Sequence, residues 1–344
     1  MTDEAELLRW RMHHQFTDGP SAVADIARRC AGVQAQDAGA VRLALRARGA
    51  ADPAAAQAAY AAGEVVATWL MRGTLHLVPA EDAAGLVALF RDRLLRGGAR
   101  RRRELGLTEE LCARALAVVD GLLEPSPSRA ELVTRLREHG VPVEPTGQAP
   151  AHLTAFLAAH GRLCRGAEVA PREPGYRPLP AGRELTTGDL ARGYLGAFGP
   201  ADPTDFAAWS GLSQAVARAG FEAAGAVEAP AGRSVLPGAE PPPAGPPLVR
   251  LLGPYDTYLL GHRSRDLMLD PARAKRINAG GGVIRPVLVA DGRVLGTWRR
   301  AGGALVVEPF EPLPAAVGPG VEAEAEAVAA FLGEPPALRI EGPA

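Results

Sequence analysis

The chain has 344 residues, of which 47% are hydrophobic and 22% are charged. This composition is typical of a folded protein with two or three domains and excludes a disordered chain. The formal net charge is −1 and the pI is about 6.7. These values exclude nucleic-acid binding through overall charge, so a DNA-binding protein of this composition needs a local basic surface.

The first fifty residues predict three helices. Apolar spacing indicates helices at 4–12 and 21–31, the second ended by Gly32. After a short extended stretch, Asp37 is placed to cap a third helix that runs to about residue 48.

A hairpin follows a short helix after residue 53. Between residues 65 and 78, β-branched and aromatic residues flank Arg72-Gly73-Thr74, which predicts two strands around a turn. Pro79 and the residues after it begin another helix. Three helices followed by a small hairpin is the element order of a winged-helix domain.

The same order recurs twice along the chain. Ser128 and Glu131 form a capping-box pattern before a helix that Gly140 ends, and a helix at 149–160 precedes a Pro/Gly-rich segment, 164–180, that is a candidate wing. A third round begins at Thr186-Thr187. Its helices contain the aromatic residues Tyr194, Phe206, Trp209 and Phe221.

The C-terminal part predicts the clearest β structure. A Pro-rich loop at 237–247 precedes two strands, 283–289 and 294–299, that flank the hairpin dipeptide Asp291-Gly292. A further strand covers 305–307. We therefore predict a mainly α chain with small β-hairpins and sheets, divided into three winged-helix units at 1–105, 106–182 and 183–344.

Charge is segregated along the sequence. Glutamates gather at positions 322, 324 and 326, and arginines gather in one stretch before residue 104. The arginines are Arg91, Arg93, Arg96, Arg100, Arg101, Arg102 and Arg103. Composition alone favours a solvated helix face for the glutamates and for the arginines, and phosphate contact is the alternative for the arginines.

Several classes of site are excluded by the sequence. It contains no nucleophile elbow, Walker loop or HExxH zinc motif. Cys30, Cys112 and Cys164 are too widely spaced to predict a disulfide framework or a zinc site. His13 and His14, at the end of the first helix, are expected to face solvent. We therefore expect no metal and no other cofactor.

Targeting signals are also not predicted. The N-terminus carries acidic residues instead of a basic region and an apolar stretch, so no secretory signal is expected. No apolar run approaches the length of a membrane span. We therefore expect a cytoplasmic protein.

One short polar segment, Gln34-Ala35-Gln36, lies between two predicted helices. In extended backbone, residues two apart point to the same side, so the two amides are expected to lie together beside a helix N-terminus. Asp37, which follows them, is a candidate helix cap and, alternatively, a candidate general base. Taken alone, two glutamines in a loop more often bond to local backbone than act in catalysis.

Five segments, in the same order, resemble the AlkZ branch of winged-helix DNA glycosylases. The first two are Gly32–Asp37 with the arginines of 42–48 behind it, and the wing Trp69–Pro79. The others are Asp205–Leu212, Leu252–Gly261, and Gly282–Val287 together with Gly296–Arg300. The related YcaQ branch has aspartate where this chain has Gln36. The family often has tyrosine where this chain has His262, followed by Arg263, Ser264 and Arg265.

The resemblance implies tandem winged-helix motifs that form a concave DNA-binding surface, with Gln34 and Gln36 as the catalytic residues. The substrate it implies is double-stranded DNA with alkylated bases, bound by a monomer. The residues that we expect to contact DNA are Arg42, Arg72, His76, Arg100, Arg101, Tyr258, His262, Arg263, Arg265 and Trp298. For Arg72 and His76 a structural role is the alternative.

The chemistry expected of such a site needs no strong acid. N7-alkylation makes a purine cationic and a good leaving group, so the site has to position water at C1′ and stabilise an oxocarbenium ion. The single lysine, Lys275, is not expected to form a Schiff base, which predicts a monofunctional enzyme. The alternatives are a non-catalytic DNA-binding regulator or damage sensor and, with less support, a resistance protein that sequesters a genotoxin.

Overall fold

The structure is a computed structural model that describes residues 3–16, 19–280, 282–335 and 337–342. The chain forms two compact units. Residues up to 55 and those from 187 onward form the first, and residues 56–186 form the second. The second unit is therefore inserted into the sequence of the first.

The N-terminal part of the first unit contains three helices, as predicted. They are α1 (Asp3–Gln15), α2 (Val23–Arg29) and α3 (Ala38–Arg46), with the short extended segment β1 (Val33–Gln34) between the last two. His13 and His14 are half-buried, so the expectation that they face solvent is wrong. Burial lowers the pKa of His14.

The second unit has a helical core and one sheet. Its elements are α4 (Ala55–Ala61), β2 (Val65–Trp69), β3 (Leu75–Pro79), α5 (Ala80–Glu104), α6 (Glu109–Val118), α7 (Arg129–Glu138), α8 (Ala149–Ala159), β4 (Leu163–Ala170) and β5 (Glu173–Pro178). The strands follow the order β3-β2-β4-β5 and pair antiparallel. Leucines and valines of α6, α7 and α8 form the buried cluster beside this sheet.

Local sequence signals explain these elements. Ser128 accepts a hydrogen bond from the Glu131 backbone, and the Glu131 carboxylate accepts one from the Ser128 backbone, so the predicted capping box is confirmed. The predicted strands around Arg72 are β2 and β3. The candidate wing at 164–180 is an antiparallel hairpin, β4–β5, whose pairing shifts register at two places, in keeping with the irregularity that its Pro and Gly content indicated.

The C-terminal part of the first unit begins with α9 (Thr187–Phe198), α10 (Pro203–Ser210) and α11 (Gln214–Ala224), which share a cluster of aromatic rings. The elements that follow are β6 (Val227–Ala229), β7 (Arg233–Val235), β8 (Val249–Leu252), α12 (Ala274–Ile277), β9 (Val287–Ala290), β10 (Arg293–Ala301), β11 (Ala304–Pro309), α13 (Gly318–Leu332) and β12 (Leu338–Ile340). A sheet of order β12-β11-β10-β9-β8 packs against α13.

The predicted class, a mainly helical chain with small sheets, is confirmed. The hairpin at Asp291-Gly292 is β9–β10, whereas the helices α6 and α13 were not predicted. The acidic cluster predicted to be a solvated face lies on α13, where Glu322 and Glu326 are exposed as expected. Glu324 instead forms an ion pair with Arg46 at 2.7 Å, with both side chains largely buried. The division into three winged-helix units stays a prediction.

None of the helices in the described part of the chain is both long enough and apolar enough to cross a membrane. Among the same residues, no group of three histidine, cysteine or acidic side chains is placed to hold a metal ion. Cys30, Cys112 and Cys164 are buried free thiols.

Candidate active site

The two glutamines lie at the end of β1, where the chain turns from α2 toward α3. Ala31 and Gly32 have left-handed backbone angles, φ +51° and +102°, that end α2 and begin the extended segment. The Gln34 side-chain amide donates a hydrogen bond to Gln36 Oε1 at 2.9 Å. The structure thus brings the two amides together, as the alternation of extended backbone predicts.

This hydrogen bond orients both amides. It uses one N–H of Gln34 and one lone pair of Gln36 Oε1, and a carboxamide oxygen has two lone pairs. Gln34 is half-buried and Gln36 is exposed. The pair therefore offers neutral acceptor oxygens, held in one arrangement, to a molecule that arrives from solvent.

Asp37 caps α3. Its Oδ1 accepts a hydrogen bond from the Ala40 backbone N–H at 2.7 Å, and its own backbone is extended. The predicted cap is confirmed. As a general base, its alternative role, Asp37 would act through a carboxylate that already accepts a hydrogen bond from the N-terminus of α3.

The segment after β8 holds the backbone of Gln34 in place. The Gln34 backbone N–H donates to Thr257 Oγ1 at 3.2 Å, and Asp256 precedes that threonine. Asp256 forms two hydrogen bonds with Arg48, of 2.7 and 2.9 Å, and both side chains are fully buried. Arg48 also donates to Gln15 Oε1 at 2.6 Å, which ties α1 to the end of α3.

Asp256 keeps the buried Arg48 side chain positively charged. Burial alone lowers the pKa of Arg48, but the attraction of Asp256 outweighs burial and raises that pKa above its ordinary value. Arg48 therefore stays charged at any pH at which the protein folds. A buried charge of this kind depends on its partner, because no water replaces the lost contact.

Arg48 and Asp256 both lie in segments that resemble the family, but the sequence alone predicted no role for either residue. A usable signal was present, since Asp256 is the one acidic residue in the largely apolar stretch from Leu248 to Leu260, in which Arg250 is the other charge. An acid in a buried run needs a cation. The sequence does not show that the cation is more than two hundred positions away.

Six of the ten residues expected to contact DNA are at least partly accessible. Arg72 lies at the tip of the β2–β3 hairpin, Arg100 and Arg101 lie in the last turns of α5, and Arg263 is exposed. Arg42 and Arg265 are half-buried. Arg100 and Arg101 both pair with Glu104, at 2.8 and 2.9 Å.

The other four are buried, which gives them structural roles. The His76 ring contacts the Thr74 carbonyl, and burial lowers the pKa of His76 to about 4. The Tyr258 hydroxyl donates to the Gly292 carbonyl at 3.1 Å, and the Trp298 indole donates to the Leu252 carbonyl at 2.8 Å. The expectation that these side chains reach DNA does not fit their placement, and for His76 the structural alternative fits instead.

His262 is the fourth buried residue, at the position where the family often has tyrosine. Its Nε2 lies 3.0 Å from the Phe198 carbonyl oxygen. Burial lowers the pKa of His262 well below its ordinary value, so the ring is neutral and donates this hydrogen bond. The position thus bonds to the backbone at the end of α9.

Comparison with known proteins identifies the family of this chain. The model of the family described as DNA glycosylase AlkZ-like matches residues 27–331, which include the glutamine pair and its supporting segment. The chain belongs to the AlkZ-like DNA glycosylase family. It is therefore an enzyme of the DNA glycosylase class.

A relative and a solved structure, both from Streptomyces sahachiroi, are similar to this chain over nearly their whole lengths. An interstrand DNA cross-link repair glycosylase is 32% identical, with 95% of this chain and 96% of the relative aligned. The solved structure of the DNA glycosylase AlkZ superposes with a TM-score of 0.84 at 28% identity, covering 99% of this chain and 100% of that one.

Proposed function

We propose that this glycosylase hydrolyses the N-glycosidic bond of N7-alkylated purines in double-stranded DNA, with water positioned by Gln34 and Gln36. The observation that supports it is the 2.9 Å hydrogen bond that fixes the two amides at the end of β1. A pair of neutral amides suits a cationic substrate, because the amides add no positive charge of their own beside the lesion base.

The chemistry balances without a strong acid. The C1′–N9 bond breaks and its electron pair neutralises the cationic purine, which leaves as a neutral base. Water adds to C1′ of the oxocarbenium ion and loses one proton to solvent. Amide oxygens of Gln34 and Gln36 accept hydrogen bonds from this water and face the positive charge that develops on the sugar.

The test is base release under single-turnover conditions from a duplex with one N7-methylguanine, followed by hot alkali. Gln34→Ala and Gln36→Ala are expected to lower the rate at least about a hundredfold. DNA affinity should change little, because the amides position water instead of anchoring phosphates. Gln214→Ala, which removes an exposed glutamine at the start of α11, is the matched control. Full activity of the double variant Gln34→Ala/Gln36→Ala would exclude the proposed role.

The substrate range proposed here includes bulky adducts and interstrand crosslinks, in repair or in self-resistance to a DNA-alkylating natural product. The support is the similarity to the cross-link repair glycosylase of Streptomyces sahachiroi. Conversion of a duplex with an N7–N7 purine crosslink into separable strands would test it. Failure on the crosslink with release of 7-methylguanine would restrict the substrate to monoadducts.

The reaction is proposed to be monofunctional, in a cytoplasmic enzyme that acts as a monomer. Lys275, the one lysine, is exposed to solvent on α12. The product should be an intact abasic strand that breaks only in alkali. A borohydride-trapped covalent adduct that is lost in Lys275→Ala would contradict this, and acetylation of the N-terminal amine tests the remaining route.

A further inference from the structure

A cleft of about 790 Å³ lies within the unit of residues 56–186. The tip of the β2–β3 hairpin, the middle of α5 and one side of α8 surround it. Its floor is apolar and includes Trp69, Leu94, Ala155 and Phe156. Five arginines also line it: Arg72, Arg93, Arg96, Arg102 and Arg165. None of the lining residues that the structure describes is acidic.

Two of these arginines lie over aromatic rings. The Arg165 guanidinium is 5.2 Å from the centre of the Trp69 ring, and the Arg102 guanidinium is 4.9 Å from that of Phe156. Nε of Arg165 is buried and has no hydrogen-bond partner among the described residues. Burial has removed water from this nitrogen. A hydrogen-bond acceptor on a bound ligand would supply the partner that the nitrogen lacks and offset its desolvation cost.

The backbone around the cleft is adapted to this arrangement. A Cβ at Gly98 would come within 2.5 Å of an Arg102 guanidinium nitrogen, so glycine makes room for that cation. Arg72 has a left-handed backbone, φ +55°, that a non-glycine residue rarely adopts, and it turns at the hairpin tip that borders the cleft.

We propose that this cleft is a binding subsite for an unmodified nucleotide of the DNA, with its phosphate among the arginines and its base on the Trp69–Phe156 floor. Five cations favour an anion, and flat rings stacked with guanidinium groups favour a planar base. An N7-alkylated purine is not the occupant, because its positive charge is repelled by the same arginines. The inference rests on the proposed function for its DNA substrate.

The sharpest test fills the cleft from Gly97. A Cβ at Gly97 meets no atom within 4 Å, and Gly97 lines the cleft, so a large side chain there starts in open space at the cleft wall. Gly97→Trp is expected to weaken binding of an unmodified fluorescein-labelled 16-base-pair duplex about tenfold. Gly97→Ala, which also replaces the glycine inside the helix but leaves the cleft open, should bind as the parent does. Equal affinity of Gly97→Trp and the parent would overturn the proposal.

A charge variant decides the matter if Gly97→Trp does not fold. Arg96 pairs with Asp92 at 3.8 Å, and Arg114 pairs with Glu110 at 3.7 Å, both on exposed helix faces with the same i,i+4 spacing. Only Arg96 lines the cleft. Arg96→Gln should lower the slope of log affinity against log salt by about one unit, and Arg114→Gln should not change it. Equal slopes would contradict the subsite.

A free nucleotide has the same phosphate and base as a nucleotide of DNA, so it is the other candidate occupant of the cleft. Binding of dAMP to the parent but not to Gly97→Trp, together with weakened duplex binding, supports the DNA subsite. Binding of dAMP with unchanged duplex affinity would assign the cleft to a free nucleotide and overturn the DNA proposal. Since these measurements need no base release, an inactive parent would sink the proposed function and leave the test of the cleft intact.

Discussion

The segment from Leu252 to His262 and the last turns of α5 contain residues expected to contact DNA, yet the structure gives them opposite environments. In the first segment, Asp256, Tyr258 and His262 are buried and bonded within the protein. In the second, Arg100 and Arg101 are exposed, with side-chain accessibilities of 88% and 44%. A family motif can therefore mark the support of a site as well as its contacts with substrate.

The largest effect expected from this contrast is on stability. Asp256→Asn leaves Arg48 buried without a counter-charge and should lower the free energy of unfolding by about 3–5 kcal/mol. Asp120→Asn breaks the exposed ion pair with Arg162 and should cost less than about 1 kcal/mol. Urea unfolding of the two variants measures both values. Similar losses would mean that burial does not distinguish the two pairs.

The buried histidines sharpen the contrast through pH. The folded pKa of His76 is about 4, below the ordinary 6.5 of the unfolded chain, and that of His262 is lowered in the same direction. The unfolded state therefore binds more protons below pH 6.5, and the protein loses stability as the pH falls from 6.5 toward 4. The loss at pH 5 should be about 2 kcal/mol for His76 alone.

Thermal unfolding between pH 7 and 5 measures this dependence. His76→Gln should make the pH dependence shallower, whereas His139→Gln, at an exposed position after α7, should leave it unchanged. An unaltered slope in His76→Gln would show that the ring binds protons equally in the folded and unfolded states.

Asp37 is exposed, and it caps α3 next to the exposed Gln36. Asp37→Ala should cost about 1 kcal/mol of stability, and Asp37→Asn should restore most of it because asparagine is an equally good cap. If Asp37 acts only as a cap, Asp37→Asn keeps base release within a few-fold of the parent. An inactive but stable Asp37→Asn would instead assign it the role of general base.

The smallest expected effect belongs to the exposed arginines. Arg100→Gln/Arg101→Gln should change stability by less than about 0.5 kcal/mol. If the two side chains neutralise phosphates, the variant lowers the salt slope of duplex binding by about two units. Arg192→Gln, on α9 with an i,i+3 partner of its own, is the control. An unchanged slope would return α5 to the solvated-face interpretation.

How much the sequence revealed depended on the range of the interaction. The Asp37 cap, the Ser128 capping box and the Asp291-Gly292 hairpin are set by residues within a few positions of each other, and all three are as predicted. The proximity of Gln34 and Gln36 follows from strand alternation alone. These features need no knowledge of tertiary structure.

Features that depend on distant partners were not predictable. The ion pair of Arg48 with Asp256 joins residues 208 positions apart, and Arg46 meets Glu324 across 278. A single sequence shows each charge but not its partner, so the acidic cluster on α13 was interpreted as solvated. The burial of Tyr258 and Trp298 was missed for the same reason, because aromatic side chains serve equally in cores and at DNA surfaces.

The exposed Lys275 allows the first unit to be cut at a single position, so that the assembly of its C-terminal sheet from two fragments can be tested. A lysine-specific protease has one cleavage position in the whole chain, and it falls on the short helix α12. A cut there places β8 on one fragment and β9 on the other, although the two strands pair along Val249–Leu252. The nicked protein should therefore stay associated under native conditions and separate in urea. Mixing the separated fragments would then report, through recovered base release, whether this sheet forms without a continuous chain.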